Sequence, residues 1–203
     1  MKFERTCVSE EMMANAIYGM RNPKNSWHLA DSKIINEGLQ IGPNDTDLAK
    51  RLIAGGPVHA KFLRQIPVSV QITAPSYWWP EMDQYKVGTV TDSTSKMHKL
   101  LSNTITEDCF EDWIDPDVIE RLEYWRQRSI KATDEVEKRM WWDKLLHHLP
   151  MSWLQTRMWT ANYEVLRNIY KWRKTHKLTQ WREEFINWIE SLPNSWLITE
   201  GLK

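Results

Sequence analysis

The spacing of apolar residues changes several times along this chain, and each change marks an element. Residues 1–10, MKFERTCVSE, read as a first strand. From Glu10 to Met20, Met12, Met13, Ala16, Ile17 and Met20 recur at helical spacing and predict a short helix. Residues 21–43 are rich in turn formers and read as loop. Asn44-Asp45-Thr46-Asp47 supplies N-cap chemistry ahead of Leu48, Leu52 and Ile53, which starts a second helix. Gly55-Gly56-Pro57 interrupts that helix, and Val58 to Gln65 resumes a helical pattern. Val68, Val70 and Ile72 then alternate with Ser69, Gln71 and Thr73, the period of a half-buried strand.

Past the strand, Ala74-Pro75 allows a helix over Ser76 to Tyr85, limited by Pro80. Val87 to Met97 is β-branched and hydroxyl-rich, so strand or extended loop. From Asp115 onward the pattern predicts helices alone. Asp115-Pro116 opens one that runs to about Ile130, and Thr133 to His148 forms a second with an acidic first turn. Ser152 to Thr175 reads as a third, long helix. Leu178 to Leu192 reads as a fourth, with Trp181, Phe185, Trp188, Ile189 and Leu192 on one face.

Composition narrows the function classes. The 203 residues make one domain, 1–203, the simplest expectation. Lys plus Arg and Asp plus Glu are 27 each, so no general attraction to nucleic acid or to an anionic membrane is expected. No DNA-binding motif or basic stripe points to a nucleic-acid partner. No apolar run approaches a transmembrane helix, and the N-terminus lacks the apolar core of a signal peptide. Cys7 and Cys109 are too far apart in sequence for a metal-ligand pair, and a reducing cytoplasm suits them. His147 and His148 are adjacent on a helix and point to different faces, so no metal site is expected there. The 13 tryptophans must supply much of the core, and any left outside it are candidate stacking surfaces.

Candidate chemistry concentrates between His59 and Lys99. Thr89-Val90-Thr91-Asp92-Ser93-Thr94-Ser95 gathers short hydroxyl side chains able to meet a phosphate or ribose. The same residues can instead satisfy their own turn. Lys86, Lys96 and Lys99 flank the run and complement phosphate as point charges. In Tyr77-Trp78-Trp79, one ring can pack inside while another faces a cleft, or both can be core. His59 is either a ligand contact or a satisfied structural residue. No P-loop, dinucleotide glycine fingerprint or nucleophile elbow is present, and no catalytic residue is assigned.

Over roughly residues 44–192 the chain resembles the flavin-dependent thymidylate synthases. The resemblance rests on Gly55-Gly56-Pro57-Val58-His59-Ala60-Lys61-Phe62, on Tyr85 to Met97 in place of the R-H-R-x-x-S-x-N-E-x-S-x-R signature, and on Leu149-Pro150. It continues through Thr160 to Leu166 and Gln180-Trp181-Arg182-Glu183. The chain is also similar to uncharacterised proteins of phages and prophages of Gram-positive bacteria, which carry W-W-x-E-F-D-x-Y-K-V-G-T and S-x-S-x-M-H-K segments. By resemblance, Ser95 lies at the nucleotide site, Asn162 and His59 lie near a flavin, and Asp92 replaces an asparagine. FAD is the cofactor the family implies. The family's R-H-R becomes Tyr85-Lys86-Val87, the final signature arginine becomes Met97, and arginines of two helices become Glu164 and Glu184. Losing those bidentate forks argues against ordinary dUMP methylation.

The resulting expectation is an α/β (α+β) fold, a small, mostly antiparallel sheet with a helical C-terminal half. The resemblance implies a homotetramer with its pocket between subunits. Nucleotide-binding residues are expected at His59, Trp78, Tyr85, Lys86, Asp92, Ser93, Ser95, Lys99 and Asn162, with Lys86 and Lys99 on phosphate and Trp78 or Tyr85 stacking. The first functional reading is a non-catalytic nucleotide binder in the host cytoplasm that sequesters an immune signal of ADP-ribose type. The second is a flavoenzyme acting on a pyrimidine nucleotide, with Asp92 or His98 as acid or base. The third is a protein-binding module on the same fold.

Overall fold

A computed structural model describes residues 1–202 of the chain. In order the elements are β1 (Lys2–Val8), α1 (Glu10–Gly19), β2 (Lys33–Ile35), β3 (Gly38–Gln40) and α2 (Pro43–Ala54). A 3₁₀ helix, Ala60–Gln65, precedes β4 (Pro67–Pro75), α3 (Trp79–Met82), β5 (Val90–Ser93) and α4 (Lys96–Lys99). There follow α5 (Pro116–Lys131), α6 (Glu135–His147), β6 (Leu154–Asn162) and α7 (Tyr163–Arg173). A π-helical turn, Gln180–Phe185, leads into α8 (Ile186–Glu190), and α9 (Trp196–Thr199) follows. The fold is mixed α/β with an antiparallel sheet of strand order β1-β4-β6-β5. β2 and β3 form a separate antiparallel hairpin, with Ile34 opposite Leu39.

Most elements follow the sequence pattern. In β4, Val68, Val70, Ile72 and Ala74 are buried while Ser69, Gln71 and Thr73 are half-buried. Each buried branched side chain contributes roughly 1.5–3 kcal/mol. α5 starts where Asp115 accepts from the Asp117 amide, and α6 where Asp134 accepts from the Glu137 amide.

The long helix expected over Ser152 to Thr175 is instead a strand followed by a helix. Thr156, Trp159 and Thr160 favour extended backbone, and burial alternates at Trp159 and Ala161. Asn162 ends the strand. Its backbone is extended and its side chain accepts from the Val165 amide, which fixes the helix start at Tyr163. Three smaller differences follow the same logic. Residues 21–43 contain the β2–β3 hairpin, whose Ile34 and Ile35 are exposed and so leave no buried stripe to read. The helix expected over Ser76 to Tyr85 shrinks to α3, with Pro80 in its first turn. Of Val58 to Gln65, Ala60–Gln65 is a 3₁₀ helix and the two residues before it are turn.

The start of α2 also differs. Gly42, not Asn44 to Asp47, is the N-cap, and the free amides of Asn44 and Asp45 donate to the Asp31 carboxylate from the preceding loop. Asp45 is itself buried and accepts from Arg21 Nε (2.7 Å), Ser32 Oγ (2.6 Å) and the Asp31 and Ser32 amides. Burial alone would raise its carboxyl. The hydrogen bonds from Ser32, Asp31 and Arg21 and the Arg21 charge outweigh burial and hold it below its ordinary value.

The chain divides into two compact units. The hairpin unit comprises Met1–Lys2, Ile72–Gln84 and Asp92–Arg157. Its core joins Leu100, Ile105, Phe110, Leu122 and Leu145, and α5 and α6 form its helical hairpin. Arg126, almost fully buried, forms a fork on Glu123 (2.7 and 2.8 Å) and donates to Leu101 O (2.8 Å), while the Ile105 amide donates to the same carboxylate. The larger unit comprises Phe3–Gln71, Tyr85–Thr91 and the chain from Met158 onward. There an aromatic series runs from Trp181 to Phe185 (5.3 Å), Trp188 (5.1 Å) and Phe3 (5.4 Å, stacked). The tryptophan-rich face of the last helical stretch is therefore core.

Candidate functional site

The expected site residues fall into both units, and each group has its own geometry. In the hairpin unit, β5 carries Asp92 and Ser93 on exposed backbone, and Ser95 caps α4 by accepting from the His98 amide at 3.3 Å. Lys99, at the end of α4, is exposed. Trp78 is fully buried and meets Trp79 edge to face at 5.0 Å, so it offers no exposed ring for stacking. It is a core residue.

The centre of this group is a lysine not included among the expected site residues. Lys96 is half-buried and its Nζ donates to Ser76 Oγ at 2.9 Å. Ser76 Oγ in turn donates to Trp153 O at 2.9 Å. Burial first, and the positive charge of Arg157 second, lower the Lys96 pKa from its ordinary value. Among the described residues Lys96 pairs with no carboxylate. Arg157 donates to Asp83 (2.8 Å) and to Gln155 Oε1 (3.1 and 3.3 Å) and lies 4.1 Å over the Trp79 ring. Thr73 and Thr156 share a 2.7 Å hydroxyl contact, and the Thr94 amide donates to Thr156 O. The arrangement is a partly desolvated ammonium with a hydroxyl beside it and a second cation nearby. An anion with several acceptor oxygens satisfies it.

In the larger unit, Tyr85 is half-buried and its hydroxyl accepts from Arg173 Nε at 2.9 Å. The Arg173 guanidinium also lies 4.7 Å over the Trp181 ring. Lys86 is exposed. Gly88 has φ +75°, and a Cβ there would come within 3.1 Å of Asn162 Nδ2 and 3.4 Å of Val165 Cγ2. Glycine thus lets the loop lie against the Asn162 cap. The Asn162 Oδ1 serves the Val165 amide, which leaves its Nδ2 as donor. His59 is exposed beside Gly55. Glu164, placed where the family has arginine, is neutralised by the fork of Arg64.

Two residues of this chemistry escaped the sequence. Arg157 is recognisable only once its segment is read as a strand, because the alternation sets it apart from Met158. Arg173 brings a guanidinium to Tyr85 from the far end of α7, and no local motif announces it. Part of the hydroxyl run satisfies itself, since Thr89 Oγ1 donates to Tyr85 O at 2.6 Å. Among the described residues no group of three or more His, Cys, Asp and Glu is placed to hold a metal ion. No described helix is long and apolar enough to cross a membrane.

The fold is of the flavin-dependent thymidylate synthase kind. Two solved structures of that enzyme from Helicobacter pylori, each complexed with FAD and dUMP, are similar to this chain with TM-scores of 0.69 and 0.70. Each is 16% identical to it, with 100% of both chains covered. At that identity the likeness concerns the fold. No protein-family profile matches the chain, and no curated protein matches it in sequence.

Proposed function

We propose that the chain binds a nucleotide through its phosphate and does not carry out the thymidylate synthase reaction. The observation that carries this reading is Lys96: a half-buried ammonium held by Ser76 Oγ, beside the Arg157 charge, with no carboxylate among the described residues to neutralise it. A phosphate restores what burial removed. Ser95, Ser93 and Lys99 lie in the same segment of chain and are the further phosphate or ribose contacts. Asp92 belongs to the same exposed strand. In the larger unit Tyr85, Lys86, His59 and the Asn162 amide are proposed as a separate set of contacts to a ring system. The substitutions of family arginines by Tyr85, Met97, Glu164 and Glu184 support a changed reaction.

The finer reading is a phage-encoded homotetramer, a single thymidylate-synthase-like domain acting in the host cytoplasm. It would sequester an immune nucleotide of ADP-ribose type. Mass spectrometry of the small molecules released when the purified protein is denatured tests it. An unmodified nucleotide in stoichiometric amount is expected, and turnover of that nucleotide would refute the binder. A second reading, a flavin-dependent enzyme on a pyrimidine nucleotide, draws on the FAD and dUMP held by the Helicobacter pylori enzyme. The Asn162 Nδ2 is a donor suited to a flavin edge, and FAD would supply the redox chemistry. A yellow protein with flavin absorption bands favours that reading; a colourless protein that takes up no added FAD eliminates it.

A further inference from the structure

A cavity of about 410 Å³ opens on the helical hairpin, entirely within the hairpin unit. Val118, Leu122 and Trp125 form its apolar lining, and Asp117, Arg121 and His148 carry its polar groups. The volume lies within the roughly 300–1,000 Å³ range of small-molecule pockets. Leu122 is buried in the unit's core, and Val118 and Trp125 pack against that core, so the lining is held in place. The Trp125 and His148 rings are 4.9 Å apart, inclined by 59°. His148 Nδ1 lies 2.7 Å from Lys144 O. A carbonyl only accepts, so Nδ1 carries a proton, and in the tautomer with its one proton there Nε2 is an acceptor.

The two charges at the cavity are exposed at its mouth. Asp117 and Arg121 stand one helical turn apart, a spacing at which acid and base normally pair. At two other places the same spacing does close: Arg51 meets Asp47 at 2.9 Å and Arg139 meets Asp143 at 2.9 Å. At the cavity, Asp117 and Arg121 form no ion pair with each other or with any described residue. An unpaired acid and base beside a fixed aromatic and aliphatic lining match a ligand that carries both charges and a flat apolar group.

We propose that this cavity binds a free α-amino acid with an aromatic side chain. The carboxylate meets the Arg121 fork, the ammonium donates to Asp117 and to His148 Nε2, and the ring packs on Trp125, Val118 and Leu122. A phosphate suits the cavity less, because the Asp117 carboxylate repels an anion approaching Arg121. The site shares no residue with the Lys96 cluster and stands or falls independently of nucleotide binding.

Isothermal titration of the purified full chain with L-phenylalanine tests this, alongside phenethylamine, which lacks the carboxylate, and 3-phenylpropionate, which lacks the ammonium. Saturable binding of L-phenylalanine is expected, with each single-charge analogue about tenfold weaker or more. Arg121→Gln and Asp117→Asn should each weaken L-phenylalanine by about tenfold while leaving the circular dichroism spectrum unchanged. Absence of L-phenylalanine binding at millimolar concentration would overturn the proposal. So would analogues that bind equally well, or variants that bind like the parent protein.

Discussion

The Asp45 site in the larger unit and the Lys96 site in the hairpin unit both take a charge out of water, and they do so in opposite ways. Asp45 is enclosed by Arg21, Ser32 and two backbone amides, so its charge is matched from every side. Lys96 has one hydroxyl partner and a second cation for a neighbour. A buried ion with its counter-ion and donors in place fixes a loop. A half-buried ion that lacks them lowers stability until something anionic arrives. The contrast teaches which charges hold the fold and which await a ligand. The Glu123–Arg126 fork shows that the hairpin unit also contains the first kind.

The largest expected effect comes from breaking the matched charges. Asp45→Asn or Glu123→Gln leaves a buried guanidinium without its anion and should cost about 3–5 kcal/mol in urea unfolding. Lys96→Met should do the reverse. Stability should stay level or rise, because a burial penalty is removed, while nucleotide affinity falls by about 10–100-fold. If Lys96→Met destabilises as strongly as Asp45→Asn, the two sites are of one kind and the contrast fails.

The pH dependence separates them as well. Glu123 is held down to about 2 by the Arg126 hydrogen bonds in particular, against an ordinary 4.5. Its contribution is complete above 4.5 and is lost as pH falls from there towards about 2. Asp45, also lowered, acts in the same direction. Lys96 has a lowered pKa as a base, so its penalty is present at neutral pH and disappears as pH rises towards 10.5. Ligand affinity should fall over that alkaline rise. Acid denaturation and binding titrations across pH check the two halves separately.

Smaller effects lie in the larger unit. Gly88→Ala meets both an unfavourable φ and the Asn162 side chain, and should cost about 1–2 kcal/mol. Lys86→Ala, at an exposed position, should change stability by no more than about 0.5 kcal/mol. Combined with Ser95→Ala it should weaken nucleotide binding without unfolding the chain, and a binding isotherm unchanged in the double variant would remove both residues from the site.

The sequence made the helical hairpin and β4 legible because capping residues and burial period agree there. Asp115-Pro116 marks a helix start that the structure reproduces, and the second helix, expected from Thr133, begins at Glu135 behind the Asp134 cap. β6 was hidden because its apolar residues also satisfy a helical spacing, and only Asn162 as a cap separates strand from helix. The candidate site was legible as a segment but not as an arrangement. Lys96 stands among three lysines of the same region, and nothing in their spacing tells which one is buried. Ser76, just past the end of β4, and Arg157, on β6, reach it from segments remote in sequence. Trp78 and Trp79 illustrate the same limit, since the sequence leaves open whether one ring faces a cleft or both are core, and packing makes both core.

The central claim is that Lys96 marks an anion site for a nucleotide. Isothermal titration of ADP-ribose into the parent protein and into Lys96→Met tests it most directly. Saturable binding by the parent protein and a loss of about 10–100-fold in the variant are expected, with the variant at least as stable as the parent. Equal affinity in both, or no binding by the parent protein, would contradict it.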